Sequence, residues 1–353
     1  MSLTLSITEH AVPFVRPFPV SWGLLEARTL FLVELVGADG VVGRGEAAPL
    51  EPYDGVADPV CRDALRRLAS ELAASDDAPG HVLIERCTQT TDCAPALAAV
   101  EMALWDRAGR REGRPVAELL ASDPAASVAV HRTIGGVAPD AAARLARAAV
   151  AAGFSACKVK VGVDDDVARV RAVREVAGPE ARIKVDAGGA WSPDRAHAML
   201  RRLVAPPLRV AVVEEPVSGA EAWTELTDRL RVERVDVELS IDETADEEPG
   251  AVTRGADRVE LKVARAGGIS PLLVRAALVG HAGVAPSIAS MFDGPLGIAA
   301  AVHAAAALGI EEPLGLATLD ALDLRGVPGL AAMAELLRPA SGRIAVPRGP
   351  GLL

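Results

Sequence analysis

The sequence predicts an α/β fold in which a parallel (β/α) barrel is preceded by an amino-terminal α+β capping domain. Three observations predict it. Lys160, Asp186, Glu214, Asp242 and Lys262 end successive apolar runs at intervals of 26, 28, 28 and 20 residues, near the ~30 residues of one strand with its crossover helix. The runs are short and rich in β-branched residues, as in Arg182-Ile-Lys-Val-Asp186 and Arg258-Val-Glu-Leu-Lys262, which is the composition of buried strands. Finally, the 353 residues exceed a lone barrel of ~250 by about a hundred, room for a second domain.

The elements follow in order. Segments 3–7, 29–36 and 41–46 read as strands, the last two joined by the turn Gly37-Ala-Asp-Gly40. Helical spacing follows over 58–74 and 94–112. Residues 1–122 are assigned to the capping domain and 123–324 to the barrel. The first barrel strand is placed at 128–133, ahead of a helix over 139–152. Strands at 155–160, 182–186, 210–214, 237–242 and 258–262 come next, with Ala- and Arg-rich helices between them, such as 165–176 and 193–203. Segments 284–287 and 314–317 supply the last two strands, after helices starting near Ser270 and Pro295. Beyond Leu319 the rhythm fades into Gly- and Pro-rich sequence, and 325–353 is expected to return to the capping domain.

In a parallel barrel the carboxyl ends of the strands share one mouth, where chemistry is built. Here that mouth brings three acids, Asp186, Glu214 and Asp242, together with two amines, Lys160 and Lys262. Converging carboxylates repel one another, and a hard divalent cation with oxygen preference relieves the repulsion. Mg²⁺ suits this ligand set, and the absence of His and Cys from it argues against zinc. The lysines stand on strands either side of the acidic trio. Beside a dication their charged forms are disfavoured, so their pKa values are expected to fall toward the operating pH. An amine base beside Mg²⁺ removes a proton next to a carboxylate when the ion stabilises the resulting enediolate. A second amine opposite gives racemisation or epimerisation; loss of a β-substituent gives elimination. Lys158, two residues before Lys160, shares its face of the strand and is a candidate substrate or carboxylate partner.

Lys158-Val-Lys160, Val185-Asp-Ala-Gly188, Glu214-Glu-Pro216, Ile241-Asp-Glu243 and Leu261-Lys262 with Gly267-Gly-Ile269 resemble, in this order, the signatures of the enolase superfamily, muconate-lactonizing subgroup. Gly43-Arg-Gly-Glu-Ala-Ala-Pro49 and segment 98–106 resemble its amino-terminal domain. The superfamily is a known case of a lysine base working with magnesium ions. The resemblance implies Asp186, Glu214 and Asp242 as Mg²⁺ ligands, Lys160 and Lys262 as the acid/base pair, and a small carboxylate as substrate. It also implies a homo-oligomer and cap loops at 18–25 and 49–55 that close over the mouth, with Trp22 and Tyr53 as candidates to touch substrate. One departure stands out: Gly188 occupies the place of the usual Asn two residues after the first acid.

Thr133, Ser287, Ser290 and Asp293 lie at or just past strand ends and are candidates to bind a substrate carboxylate or hydroxyl. Segments 287–298 and 315–318 are similar to the late-barrel region of o-succinylbenzoate synthases. Leu314-Gly-Leu-Ala-Thr318 lacks the Asp-x-Asp with which dipeptide epimerases hold a substrate ammonium. The expectation is therefore dehydration to o-succinylbenzoate in menaquinone synthesis. Dipeptide epimerisation and N-succinylamino acid racemisation stand as alternatives, since the same two lysines serve them. A barrel relative that binds a metabolite without turnover is a further one.

Composition bounds the partners. A net charge of −11 and 3% aromatics argue against nucleic acid, which calls for a basic patch, and against anionic membranes. No run approaches the ~18 apolar residues of a membrane span, and the first ten residues lack the basic start of a signal peptide. A cytoplasmic protein is expected. Cys61, Cys87, Cys93 and Cys157 form no metal-binding spacing and are expected to be buried thiols.

Overall fold

The computed structural model describes residues 3–20, 23–75, 78–247, 249–252 and 254–353. In the cap, β1 (Thr4–Val20), β2 (Gly23–Val36) and β3 (Val42–Ala47) form an antiparallel sheet in that order. β1 is far longer than the expected 3–7. It pairs with β2 as far as Val20↔Gly23, with a register shift between Pro13 and Phe18. Pro13, Pro17 and Pro19 mask this strand in the sequence, yet an edge strand tolerates them because its outer N–H groups need no partner. Helix Ala94–Glu112 lies across the sheet, so close that a Cβ on Gly43 or Gly45 would collide with the carbonyls of Ala103 and Ala99. This is the physical reason for the Gly-Arg-Gly pattern. Phe31, Val33 and Leu35 pack there against Leu65, Leu68 and Leu72.

After β4 (Ser127–Ala129) the barrel is built from β5 (Arg132–Ile134), β6 (Ala156–Lys160), β7 (Arg182–Asp186), β8 (Val212–Glu214), β9 (Glu238–Ile241), β10 (Arg258–Leu261) and β11 (Ala285–Ile288). Strands β5 to β11 are parallel neighbours in chain order. The expected eighth strand shrinks to Leu314 and Gly315, which bridge to Val130 on one side and Ala289 on the other. His131 N donates to Leu314 O at 3.1 Å and Ser290 N to Gly315 O at 3.1 Å, closing the ring. The expected first strand at 128–133 is split. Its start, β4, pairs antiparallel with β12 (Arg343–Ala345), and only β5 joins the barrel. The tail therefore meets the start of the barrel as well as the cap. At its end, Val116 N donates to Gly351 O at 2.9 Å and Leu352 N to Asp106 Oδ1 at 2.7 Å.

Alternation along the strands sorts the side chains. Val159, Val185, Val213, Ile241 and Leu261 pack with the helices in the main core. Their neighbours Lys158 and Lys160, Lys184 and Asp186, Ser240 and Asp242, and Glu260 and Lys262 take the other face, inside the barrel. Two acidic side chains of the cap dock the domains by accepting from N–H groups at barrel helix starts, groups that have no partner within their own helix. Glu101 accepts from Ile269 N at 2.8 Å and Ser270 N at 2.9 Å. Glu46 accepts from Gly294 N at 2.6 Å, ahead of helix Pro295–Leu308. Gly268, at φ 138°, has no room for a side chain: a Cβ would lie 2.6 Å from Glu101 Oε2. Among the described residues no helix is long and apolar enough to cross a membrane.

Candidate active site

The strand ends place the five charged residues as expected. In register, Lys160 lies beside Asp186, and Asp186 beside Glu214. Lys160 Nζ donates to Asp186 Oδ2 at 2.6 Å, and Lys262 Nζ donates to Asp242 Oδ1. Strands β7, β8 and β9 separate the two lysines in sheet order, so they face each other across the mouth. Lys158 Nζ bridges Glu214 Oε1 at 2.6 Å and Asp186 Oδ2 at 2.7 Å. All but Lys160 are buried. Lys158, Lys160, Asp186, Asp242 and Lys262 line a chamber of about 70 Å³, closed above by Val20, Leu25 and Tyr53 from the cap.

A second charged layer lies beneath. Lys184 Nζ contacts Glu214 Oε2 at 2.6 Å and Glu260 Oε1 at 2.5 Å, and Glu260 also accepts from Ser240 Oγ at 2.7 Å. The result is an alternating chain, Asp186–Lys158–Glu214–Lys184–Glu260, in a position usually filled by branched apolar side chains. Burial opposes the charge on Glu214, but Lys158 and Lys184 outweigh it and hold the carboxyl at about 2. Glu260 is held at about 2 against burial in the same way. Burial likewise opposes the ammonium of Lys262, yet Asp242 and Glu243 raise its pKa. The expected fall is absent while the carboxylates remain its partners.

The donor set suits a hard cation. Glu214 Oε2 is buried, with the Lys184 ammonium 2.6 Å away as its counter-charge. Ammonium groups already stand between the carboxylates, where positive charge is favoured. Among the described residues no three acids, histidines or cysteines converge closely enough to form a ready cluster; the lysines hold the acids apart. Glu215 seats the third acid: its carboxylate accepts from Asp242 N at 2.6 Å and Thr244 N at 2.9 Å. Burial raises its pKa to about 7. Gly188, at φ 51°, donates its N–H to Asp186 Oδ1 at 3.0 Å. Its left-handed backbone is one that Gly and Asn both accept.

The remaining candidates divide. Tyr53 reaches the site, its hydroxyl donating to Asp242 Oδ2 at 2.9 Å and its ring lying 5.1 Å from Lys262 Nζ. Ser290 lines the chamber, 3.0 Å from Thr318 Oγ1. Thr133 does not. It pairs in register with Lys158, not Lys160, and lines a neighbouring cavity. Ser287 pairs with Glu260, one layer below the site, and faces a small void among the strand starts. Asp293 is buried between domains, with Met291 N and Ser290 as neighbours and the Arg28 charge acting against a pKa raised by burial. It is no part of the chamber wall. Trp22 lies outside the described residues. Sequence reasoning missed Lys184, Glu260, Glu215 and Glu243. The period-two rule that singled out Lys158 applies equally to Lys184 and Glu260.

Comparison with known proteins agrees with this geometry. Residues 141–352 match the family described as Enolase C-terminal domain-like, and 2–121 match the Mandelate racemase / muconate lactonizing enzyme, N-terminal domain. The L-Ala-D/L-Glu epimerase of Bacillus subtilis is 29% identical over 86% of this chain and 84% of its own length. Its substrate-liganded structure superimposes with a TM-score of 0.88 at 26% identity, covering 100% of this chain and 98% of that one. The o-succinylbenzoate synthase of Thermobifida fusca is 34% identical, but over only 56% of this chain and 61% of its own. A dipeptide epimerase from Enterococcus faecalis, solved with Mg and the dipeptide L-Leu-L-Tyr, shares the fold with a TM-score of 0.87 at 23% identity, over 100% and 99% of the two chains.

Proposed function

The chain belongs to the enolase superfamily, muconate-lactonizing subgroup, and from that premise we propose that it is a Mg²⁺-dependent epimerase or racemase of a dipeptide or N-acylamino acid. The observation that carries this reading is the pair of lysines facing one another across an acid-lined chamber. Asp186, Glu214 and Asp242 would hold the ion, which when bound neutralises charge at the substrate carboxylate and so acidifies its α-proton. Lys160 takes the proton from one face of the α-carbon and Lys262 returns one to the other. With the carboxylates engaged by a cation, burial acts on Lys262 without their counterweight, and burial favours the neutral amine. Tyr53 and Glu215 hold Asp242 in place, and the Lys184–Glu260 pair supports Glu214 from below.

The sequence-based preference for dehydration is replaced. Full-length similarity runs to an epimerase, whereas the synthase matches over little more than half the chain. Dehydration is the second reading, favoured by the missing acid in 314–318: Asp320, just beyond, is ion-paired with Arg132. The test is to incubate the protein with Mg²⁺ in D₂O with panels of L,L-dipeptides and N-acylamino acids. Deuterium at the α-carbon with inversion is expected. Aromatic product from the synthase substrate, with no α-exchange in either panel, would reverse the order.

A further inference from the structure

The chamber holds only a few water molecules at about 70 Å³, too little for the acyl or peptidyl arm of such a substrate. Beside it, between the β1 segment 15–19, β5 and helix Pro139–Ala151, lies a cavity of about 480 Å³, within the range of small-molecule sites. Phe292 belongs to the walls of both. Its ring meets Phe18 edge-on with centroids 4.8 Å apart, and its backbone sits at φ 59°. A bulky residue in the left-handed region is strained, and such strain persists where the surroundings enforce it, often at ligand clamps.

The walls of this annex carry a charge opposite to that of the chain. Arg16, Arg132 and Arg144 line it with a single acid, Asp320. Arg132 is ion-paired to Asp320, whereas no hydrogen bond or ion pair to a described residue occupies Arg16 or Arg144. Arg16 and Arg144, both exposed, give one cavity wall two arginines without a described partner in a protein of net charge −11, a local positive site. They are rigid forks suited to carboxylate.

We propose that the annex receives the distal arm of the substrate and selects an arm ending in a carboxylate. The substrate is then a doubly anionic dipeptide or N-acylamino acid: one carboxylate at the reacting carbon, the other at Arg16 and Arg144. This rests on the epimerase or racemase reading and narrows it. A free ammonium arm is rejected, because Asp320, the only acid among the described residues of the annex wall, is already ion-paired with Arg132.

The experiment uses three N-acylamino acids identical at the reacting end, with arms terminating in carboxylate, primary amide or ammonium. α-Deuteration is followed with Mg²⁺ present, and binding to the Mg²⁺-loaded protein is followed by calorimetry. The carboxylate arm is expected to exceed the amide in kcat/KM by about 10–100-fold, as a charge-assisted bidentate contact allows, with ammonium lowest. In the Arg16→Gln/Arg144→Gln double variant the carboxylate-to-amide ratio should collapse to about two, chiefly through KM. Asp320→Asn, which releases Arg132, should raise it. A wild-type ratio near one, or a ratio unmoved by the arginine changes, overturns the proposal. Preferential calorimetric binding of the carboxylate arm without any deuteration would overturn the reaction assignment and keep the annex.

Discussion

Replacing Lys184 by Met removes one ammonium from between two buried carboxylates while keeping most of the side-chain volume. Lys184 lies 2.6 Å from Glu214 and 2.5 Å from Glu260, which are only 1% and 4% exposed. Removing one partner of a buried ion pair costs ~3–5 kcal/mol, since a charge is stranded in low dielectric. Glu214 keeps Lys158 at 2.6 Å and Glu260 keeps the Ser240 hydroxyl at 2.7 Å, so the lower end, about 3 kcal/mol, is expected. Adding Glu260→Leu removes the stranded charge. The double variant should then recover at least about 1.5 kcal/mol of the summed single losses, a coupling within the range for residues in one network. Urea denaturation followed by circular dichroism, on wild type, both singles and the double, measures this cycle. A Lys184→Met cost below about 1 kcal/mol, or an additive cycle, would show that the buried charges do not depend on one another.

Two further outcomes follow. Burial and Asp293 raise the Glu46 carboxyl to about 8, against 4.5 when exposed. Because the folded state holds this proton more tightly, the stability it brings is complete below about pH 4.5 and is lost as pH climbs through 8, a swing of roughly 3–6 kcal/mol. Glu46→Gln should flatten the decline in chemical-denaturation stability between pH 5 and 9; an unchanged slope refutes the assignment. Tyr53→Phe deletes the hydroxyl donated to Asp242 at 2.9 Å. Calorimetric Mg²⁺ affinity and α-deuteration rate should both change, the rate falling about 3–10-fold for the loss of a hydrogen bond worth ~1 kcal/mol. Equal values in both assays would reduce Tyr53 to a packing residue.

What the sequence revealed was local and periodic. Charged residues closing β-branched runs every two dozen or so residues located β6 to β10 and their side chains, because strand alternation and the αβ repeat are written in adjacent positions. What it concealed was long-range. The prolines of β1 hid an edge strand that pairs with β2. The closing strand is two residues, held by bonds to Val130 and Ala289 rather than by any pattern of its own. Ser287 was displaced from the chamber by register, which places it opposite Glu260, while Thr133 lines the neighbouring cavity instead. Asp293 is buried against Arg28 and Glu46 of the other domain, some 250 residues away in the chain, surroundings that no local pattern encodes. Tyr53, by contrast, reached the site through domain docking that no local motif encodes.

The central claim is that Lys160 and Lys262 exchange protons with one carbon from opposite sides. Stereospecific α-deuteration by the single variants tests it most directly, with Mg²⁺ and each epimer of a turned-over substrate supplied separately. Lys160→Ala should exchange only one epimer and Lys262→Ala only the other, with interconversion falling at least about 10²-fold in both. Wild-type interconversion by either variant, or retention of the same epimer by both, would contradict the account.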